Sequence, residues 1–164
     1  MVARLALVGS RLRRHFKIVA MLKKTPATRD PLDALLSAPD EAVLAVIAGV
    51  EGPSYRPVGA MMAVMSATSR TGTLSSGCIE ADIALHAMQT KDAGQPRTLR
   101  YGRGSPFIDI QLPCGGGLDI LLLPKPARDV IARIVENRAA RRPCSRVVDM
   151  ISGAMILQDT GEAR

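Results

Sequence analysis

The chain has 164 residues, of which 47% are hydrophobic, and a net charge of +7 from 22 lysine and arginine residues against 15 aspartate and glutamate residues. This length is sufficient for one domain with a sizeable core and too short for two ordinary domains. With no tryptophan, two tyrosines and two phenylalanines, the chain also lacks the aromatic surfaces on which single-stranded nucleic acid would stack.

The positive charge is concentrated in the first 24 residues. They hold seven of the basic residues and no acidic one, so the remaining 15 basic residues balance 15 acidic ones. The apolar runs at 5–8 and 18–21 are too short for a signal peptide or a membrane span. We expect residues 1–24 to be a disordered basic extension and residues 25–164 to form the domain, with no membrane span and no nucleic-acid partner.

The first half of the domain predicts a short helix, three strands and a longer helix. Pro31 lies just inside the first helix, where its fixed φ is favourable. A continuous apolar run over 43–50 is typical of a central strand, and strands so close in sequence are expected to pair antiparallel. The predicted elements are a helix over 30–37, strands over 43–50, 60–65 and 73–75, and a helix over 78–89 that Gly94 terminates.

The second half predicts short strands, an amphipathic helix and a final hairpin. Residues 113–117 have the length of a hairpin loop, which would place Cys114 at a hairpin tip. The predicted elements are strands over 98–101, 107–112 and 118–123, a helix over 127–141 and a hairpin over 146–157. The predicted fold class is therefore α+β, a single domain with a mostly antiparallel mixed sheet packed against two or three helices, and no Rossmann domain.

Two cysteines lie in glycine-containing segments, SSGCIE at 75–80 and PCGGG at 113–117. Glycine lets the backbone approach a ligand and turn its N–H groups toward an anion, and a thiol beside such donors is readily held as thiolate. Cys78 is predicted at the amino end of a helix, which favours a phosphate. Cys144 has no glycine context and is interpreted as structural. Three cysteines without a secretory signal indicate a reducing cytoplasm.

Four motifs in order resemble the amino-terminal domain of the XdhC/CoxI family, the accessory proteins of molybdenum hydroxylases such as xanthine and carbon monoxide dehydrogenases. They are EGPSYRPVGA at 51–60, SSGCIE at 75–80, LRYG at 99–102 and CGGGLDI at 114–120, and the resemblance runs from about Asp30 to Arg146. It implies a cytoplasmic maturation factor rather than an enzyme. Such a factor binds molybdopterin, the molybdenum cofactor, as cargo, protects it and passes it to a molybdenum hydroxylase subunit.

The predicted cofactor site combines residues from several loops. We expect the Cys78 and Cys114 loops to meet at one mouth, with their Cα atoms within about 12 Å. Arginine suits the cofactor phosphate, and thiolates suit its sulfur-rich or metal end, so Cys78 and Cys114 are also the predicted molybdenum contacts. The predicted set is Arg56, Ser76, Gly77, Cys78, Glu80, Cys114, Gly115 and Gly116, with Glu51, Arg100 and Arg103 as further candidates.

Two departures from the family pattern stand out. Ser76 occupies the place of the first glycine in the usual Ser-Gly-Gly-Cys, which affects a backbone position that can be left-handed. The family also commonly continues into a second, Rossmann-like domain. A single-domain, split or truncated version is therefore expected, with a separately encoded Rossmann-like domain as a further partner and a homodimer left open.

Two other functions remain open from the residues. A cysteine-dependent redox enzyme could use Cys78, alone or paired with Cys114. It lacks an obvious base, because His86 would lie about 12 Å along the same helix. A ligand-free interaction module that docks to a dehydrogenase subunit is the third interpretation.

Overall fold

A computed structural model describes residues 30–38, 41–106 and 112–159. Its main sheet has five strands in the order β3-β2-β1-β5-β4, and every neighbouring pair is antiparallel. These strands are β1 (Val43–Glu51), β2 (Met61–Val64), β3 (Arg70–Gly72), β4 (Arg97–Gly102) and β5 (Gly117–Pro124). The other elements are the hairpin β6 (Cys144–Val148) and β7 (Met155–Asp159), and the helices α1 (Pro31–Ser37), α2 (Glu80–Ala93) and α3 (Arg128–Ala139). The predicted α+β class is confirmed.

Both faces of the main sheet are covered. Val43, Ala45 and Ile47 of β1 face a core cluster that includes residues of α2, whereas Leu44 and Val46 face a second cluster with α1, α3 and the β6–β7 hairpin. Because side chains alternate between the faces of a strand, a strand buried on both faces must be apolar without interruption. This requirement explains the apolar run from which β1 was predicted.

Three connections leave the main sheet at the same end, which we call the loop end. β1, β3 and β4 finish there, and β2 and β5 begin there, as the pairing of Gly117 with both Glu51 and Gly102 illustrates. The connections span residues 52–60, 73–79 and 103–116. Helix α2 also begins at the loop end, since the Tyr101 hydroxyl at the end of β4 donates a 2.6 Å hydrogen bond to Asp82 in the first turn of α2.

Several predicted elements are confirmed. Helix α1 begins at Pro31 with Asp30 as its N-cap, and the Asp30 carboxylate accepts a 2.9 Å hydrogen bond from the N–H of Leu32. Gly94 ends α2 in a left-handed conformation, with φ of 68°. Helix α3 and the final hairpin also lie where they were predicted.

Two predictions about strands are wrong. The third strand occupies 70–72 instead of 73–75, because residues 73–79 form a loop around a helix carboxylate. The hairpin with a tip at Cys114 is also wrong, since β1 and β4 occupy the two edges of β5. Residues 107–111 of the predicted partner strand lie outside the described residues, as does the predicted basic extension over 1–24.

Within the described ranges, no helix is long and apolar enough to cross a membrane.

Replacing Leu122 by alanine should lower the free energy of unfolding by about 3–5 kcal/mol, because the side chain is fully buried between the sheet and α2 and leaves a cavity. The matched control is Leu85→Ala on α2, where the side chain is 57% exposed, with an expected change within about 0.5 kcal/mol. Urea unfolding followed by circular dichroism measures both. Equal losses would contradict the two-sided core.

Candidate functional site

The carboxylate of Glu80 organises the loop over 73–79. Glu80 is the first residue of α2, and only 3% of it is exposed to solvent. Six hydrogen bonds of 2.5–3.2 Å converge on its two oxygens. The donors are the hydroxyls of Thr73 and Ser75 and the backbone N–H groups of Leu74, Ser75, Gly77 and Ile79.

These hydrogen bonds keep Glu80 ionised. Burial alone would raise the pKa of Glu80, but hydrogen bonds from the Thr73 and Ser75 side chains and from the Ser75 and Leu74 backbone outweigh it and lower the pKa to about 2. The carboxylate therefore supplies the negative charge that the amino terminus of α2 favours.

The arrangement changes the expected role of this helix terminus. The backbone N–H groups of Leu74, Ser75, Gly77 and Ile79 donate to Glu80, and that of Ser76 donates to the Thr73 hydroxyl at 3.0 Å. The place predicted for a cofactor phosphate is thus occupied by a carboxylate of the chain itself. Direct contact between Glu80 and cofactor stays a prediction, and the geometry favours a positioning role for this side chain.

The residues held by Glu80 face solvent. Ser76, Gly77 and Cys78 are all exposed. Ser76 has φ of 63° and Gly77 has φ of 111°, a region that costs a residue with a Cβ atom more than it costs glycine. Ser76 therefore adopts the left-handed backbone that its place in the motif suggested.

Cys114 lies in a tight turn at the loop end. It is half-buried and packs against the core cluster under α2. The N–H of Gly115, at φ of 71°, donates to the carbonyl of Leu112 at 2.9 Å, and Gly117 is already the first residue of β5. These two glycines are therefore engaged in the turn and the strand, and the predicted nest of three N–H donors for a ligand is not formed as expected.

Gly116 serves close packing. It is buried, and a Cβ atom at this position would collide with the carbonyl oxygen of Pro53 and come within 2.9 Å of that of Glu51. The absence of a side chain lets the 52–60 loop pack directly on the Cys114 turn. The two loops therefore form one continuous surface.

A network of charges underlies this surface. The Arg100 guanidinium donates to both carboxylate oxygens of Asp119 at 3.1 Å, to Glu51, and to the carbonyl of Arg103 at 2.7 Å. Burial would lower the pKa of Arg100, but hydrogen bonds and charge from Asp119 and Glu51 outweigh burial and raise it. Gly117 leaves room for this guanidinium, since a Cβ there would collide with it.

Sequence reasoning proposed Arg100 as a phosphate ligand and missed its partner Asp119. Arg100 and Asp119 are directly opposite each other in the β4–β5 ladder. Opposite charges at facing positions of two strands form a recognisable signal, but only once the two strands are known to be neighbours. Arg100 is thus a structural cation that joins β1, β4 and β5.

Two arginines at the loop end remain exposed. Arg103 lies 3.6 Å from a Glu51 oxygen and 3.5 Å from the carbonyl of Gly115. Arg56 is exposed in the 52–60 loop, and its guanidinium has no hydrogen-bond or ion-pair partner among the described residues. Tyr55 and Val58 of the same loop are more than half exposed. The loop end therefore offers cations beside apolar surface.

The predicted site residues share one end of the sheet. Arg56, the SSGCIE loop and the Cys114 turn belong to the three connections that form the loop end, and Ile79 next to Cys78 belongs to the core cluster on which Cys114 packs. Cys144 lies apart, in β6 on the opposite face of the sheet. The distance between the thiols of Cys78 and Cys114 stays a prediction.

A metal would receive few ligands from this chain. Within residues 30–38, 41–106 and 112–159, no group of three or more His, Cys, Asp or Glu side chains could hold a metal ion. Two thiols are therefore the most that Cys78 and Cys114 could offer, and a metal bound there must bring other ligands with it.

Comparison with known proteins identifies related sequences. Residues 35–102 match the model of the XdhC and CoxI family. The chain is 36% identical over 115 residues to the molybdenum cofactor insertion chaperone PaoD of Escherichia coli. It is 52% identical over 52 residues to a probable xanthine dehydrogenase subunit of Bacillus subtilis.

A solved structure shares the fold. The crystal structure of a xanthine dehydrogenase from Bacillus halodurans superposes with a TM-score of 0.60 at 29% identity, over 78% of this chain and 41% of that one. The aligned regions cover 70% of this chain and 36% of PaoD, and 32% of this chain and 16% of the Bacillus subtilis protein. The chain thus corresponds to well under half of the length of each of these relatives.

Glu80→Gln should destabilise the protein at neutral pH by an amount on the order of 3 kcal/mol, because a pKa lowered from 4.5 to about 2 is worth about 1.4 kcal/mol per unit. Since the folded-state pKa is depressed, this stability is present above pH 4.5 and is lost as the pH falls toward 2. Chemical unfolding at several pH values should show a flatter acid dependence for the variant. The exposed Glu136→Gln is the control, and an identical acid dependence in wild type and Glu80→Gln would contradict the account.

Ser76→Gly should raise the free energy of unfolding by about 1 kcal/mol, because glycine adopts φ of 63° without the Cβ penalty. The N–H of Ser76 that donates to Thr73 is retained. Ser145→Gly, at an exposed position of β6, is the matched control and should be destabilising. Thermal unfolding compares the two, and a lower midpoint for Ser76→Gly would show that the serine side chain stabilises the loop.

Proposed function

We propose that this chain, which belongs to the XdhC and CoxI family, binds the molybdopterin form of the molybdenum cofactor at its loop end and holds it for insertion into a molybdenum hydroxylase. The convergence of the Cys78 loop, the Cys114 turn and exposed arginines on one end of the sheet carries the proposal. The similarity to a molybdenum cofactor insertion chaperone supports it.

The residue types match the two ends of such a cargo. Thiolates are soft ligands that suit a molybdenum–sulfur centre, and arginine binds phosphate through two parallel hydrogen bonds. The metal is part of the cargo and arrives with the dithiolene sulfurs of the pterin, so two protein thiols would add to an existing ligand set. The chain thus needs no metal cage of its own.

The exposure of the site suits delivery. Ser76, Gly77 and Cys78 are exposed, yet the Glu80 hydrogen bonds fix the loop that carries them. A cargo held on such a surface is accessible to an acceptor without opening of a core. Tyr55 and Val58 provide apolar area beside it, where the hydroxylase subunit would dock. The separately encoded Rossmann-like domain and the homodimer stay predictions.

The geometry gives little support to a cysteine-dependent enzyme. His86 lies on α2 near its neighbours Asp82, Gln89 and Arg97, with 3.1 Å between its Nδ1 and the Gln89 side-chain oxygen. Arg97 begins β4, at the end of the sheet opposite the loop end. His86 is therefore directed away from Cys78, and a general base for that thiol would have to come from elsewhere.

Reduced wild-type protein should bind about one molybdopterin per chain, and Cys114→Ala and Cys78→Ala should each raise the dissociation constant roughly tenfold to hundredfold, the effect of losing one charge-assisted contact. Cys144→Ala is the matched control, since Cys144 lies away from the loop end. Anaerobic titration with native mass spectrometry measures the stoichiometry and affinity.

Negligible effects of all three substitutions would contradict thiol ligation. Absence of cofactor binding by folded wild-type protein would contradict the proposed function and favour the interaction module.

A further inference from the structure

The two arginines that flank Tyr101 and Gly102 are held differently, and the difference assigns them different roles. We propose that Arg103 binds the phosphate of the cofactor, and that Arg100 is a positioning residue that holds Arg103 and the Cys114 turn in place. The inference rests on the proposed function, because it names the residue of the same site that recognises the anionic end of the cargo.

Arg100 has no donors left for a ligand. Its guanidinium donates to both oxygens of Asp119, to Glu51 and to the carbonyl of Arg103, and its side chain is only 22% exposed. The bond to the Arg103 carbonyl fixes the backbone from which the Arg103 side chain leaves. Arg100 therefore acts on a ligand only through its neighbours.

Arg103 is held loosely. Its side chain is 62% exposed, and its contacts are an ion pair with Glu51 at 3.6 Å and the carbonyl of Gly115 at 3.5 Å. An exposed ion pair of this length is weak, whereas a phosphate accepts two parallel hydrogen bonds from a guanidinium and carries more charge. A phosphate at the loop end would thus displace Glu51 from Arg103.

The usual phosphate-binding feature is already occupied in this fold. The N–H groups at the start of α2 donate to the Glu80 carboxylate, so the charge that attracts a phosphate has to come from side chains. Of the exposed arginines Arg56 and Arg103, Arg103 is the one that contacts the Cys114 turn, at Gly115. Phosphate on Arg103 would place the anionic end of the cargo beside a thiol of the same site.

Glu51 provides the sharpest test. One of its carboxylate oxygens contacts Arg100 and the other faces Arg103, and these three groups with Asp119 sum to zero net charge. Glu51→Gln removes the competitor of the phosphate and leaves a net positive cluster, while the amide oxygen can still accept from Arg100. A residue with a purely structural role would not strengthen ligand binding when it is changed.

The experiment titrates the full chain with molybdopterin and, separately, with inorganic pyrophosphate. Arg103→Gln should weaken both about tenfold or more, the effect of losing a charge-assisted contact, and Arg103→Lys should restore part of the loss. Glu51→Gln should tighten binding of both roughly two- to fivefold, as expected for removal of a weak exposed ion pair. Arg133→Gln on α3, at an exposed position away from the loop end, is the matched charge control and should bind like wild type.

Equal affinities of Arg103→Gln and Arg133→Gln for molybdopterin, or weaker binding by Glu51→Gln, would overturn the inference and leave the proposed function standing. If wild type binds pyrophosphate through Arg103 but not molybdopterin, the proposed function fails and the anion site stands. Binding of neither probe by folded wild-type protein overturns both.

Discussion

The ionised carboxylate of Glu80 is the interaction on which the loop end depends. It neutralises the amino terminus of α2, closes the 73–79 loop around itself and turns Ser76, Gly77 and Cys78 outward. Removing an ion that satisfies so many donors would leave each of them desolvated without a partner, which is costly. The same interaction also takes the helix terminus away from any ligand, so recognition of an anion passes to arginine side chains.

The second foundation of the site is the charged cluster at the beginning of β5. Arg100 joins β1, β4 and β5 through Glu51 and Asp119, and Gly116 lets the 52–60 loop pack on the Cys114 turn. Both loops therefore stand on a sheet that is buried on both faces. A rigid base with exposed ligand-facing groups is well suited to hold a cargo that must later leave.

Local patterns in the sequence predict much of the fold, and long-range pairing explains most of what they miss. Pro31, the apolar run of β1 and the terminating Gly94 each follow from the chemistry of a few neighbouring residues. The neighbour of β5 is a choice between distant segments, and assigning it to 107–112 hid the facing pair of Arg100 and Asp119. The motif residues of the site were named correctly as a set of positions at one end of the sheet, whereas the reach of the Glu80 side chain back to Thr73 could not be read from spacing.

The central claim is that Cys78 and Cys114 face one small cleft at the loop end. The most direct measurement treats reduced Cys144→Ala protein, which retains only these two thiols, with a short bifunctional thiol reagent and maps the products by mass spectrometry. The account predicts one intramolecular crosslink between Cys78 and Cys114 in monomeric protein, and protection of both thiols by bound molybdopterin. Labelling of each thiol by a separate reagent molecule, with no crosslink between them, would contradict it.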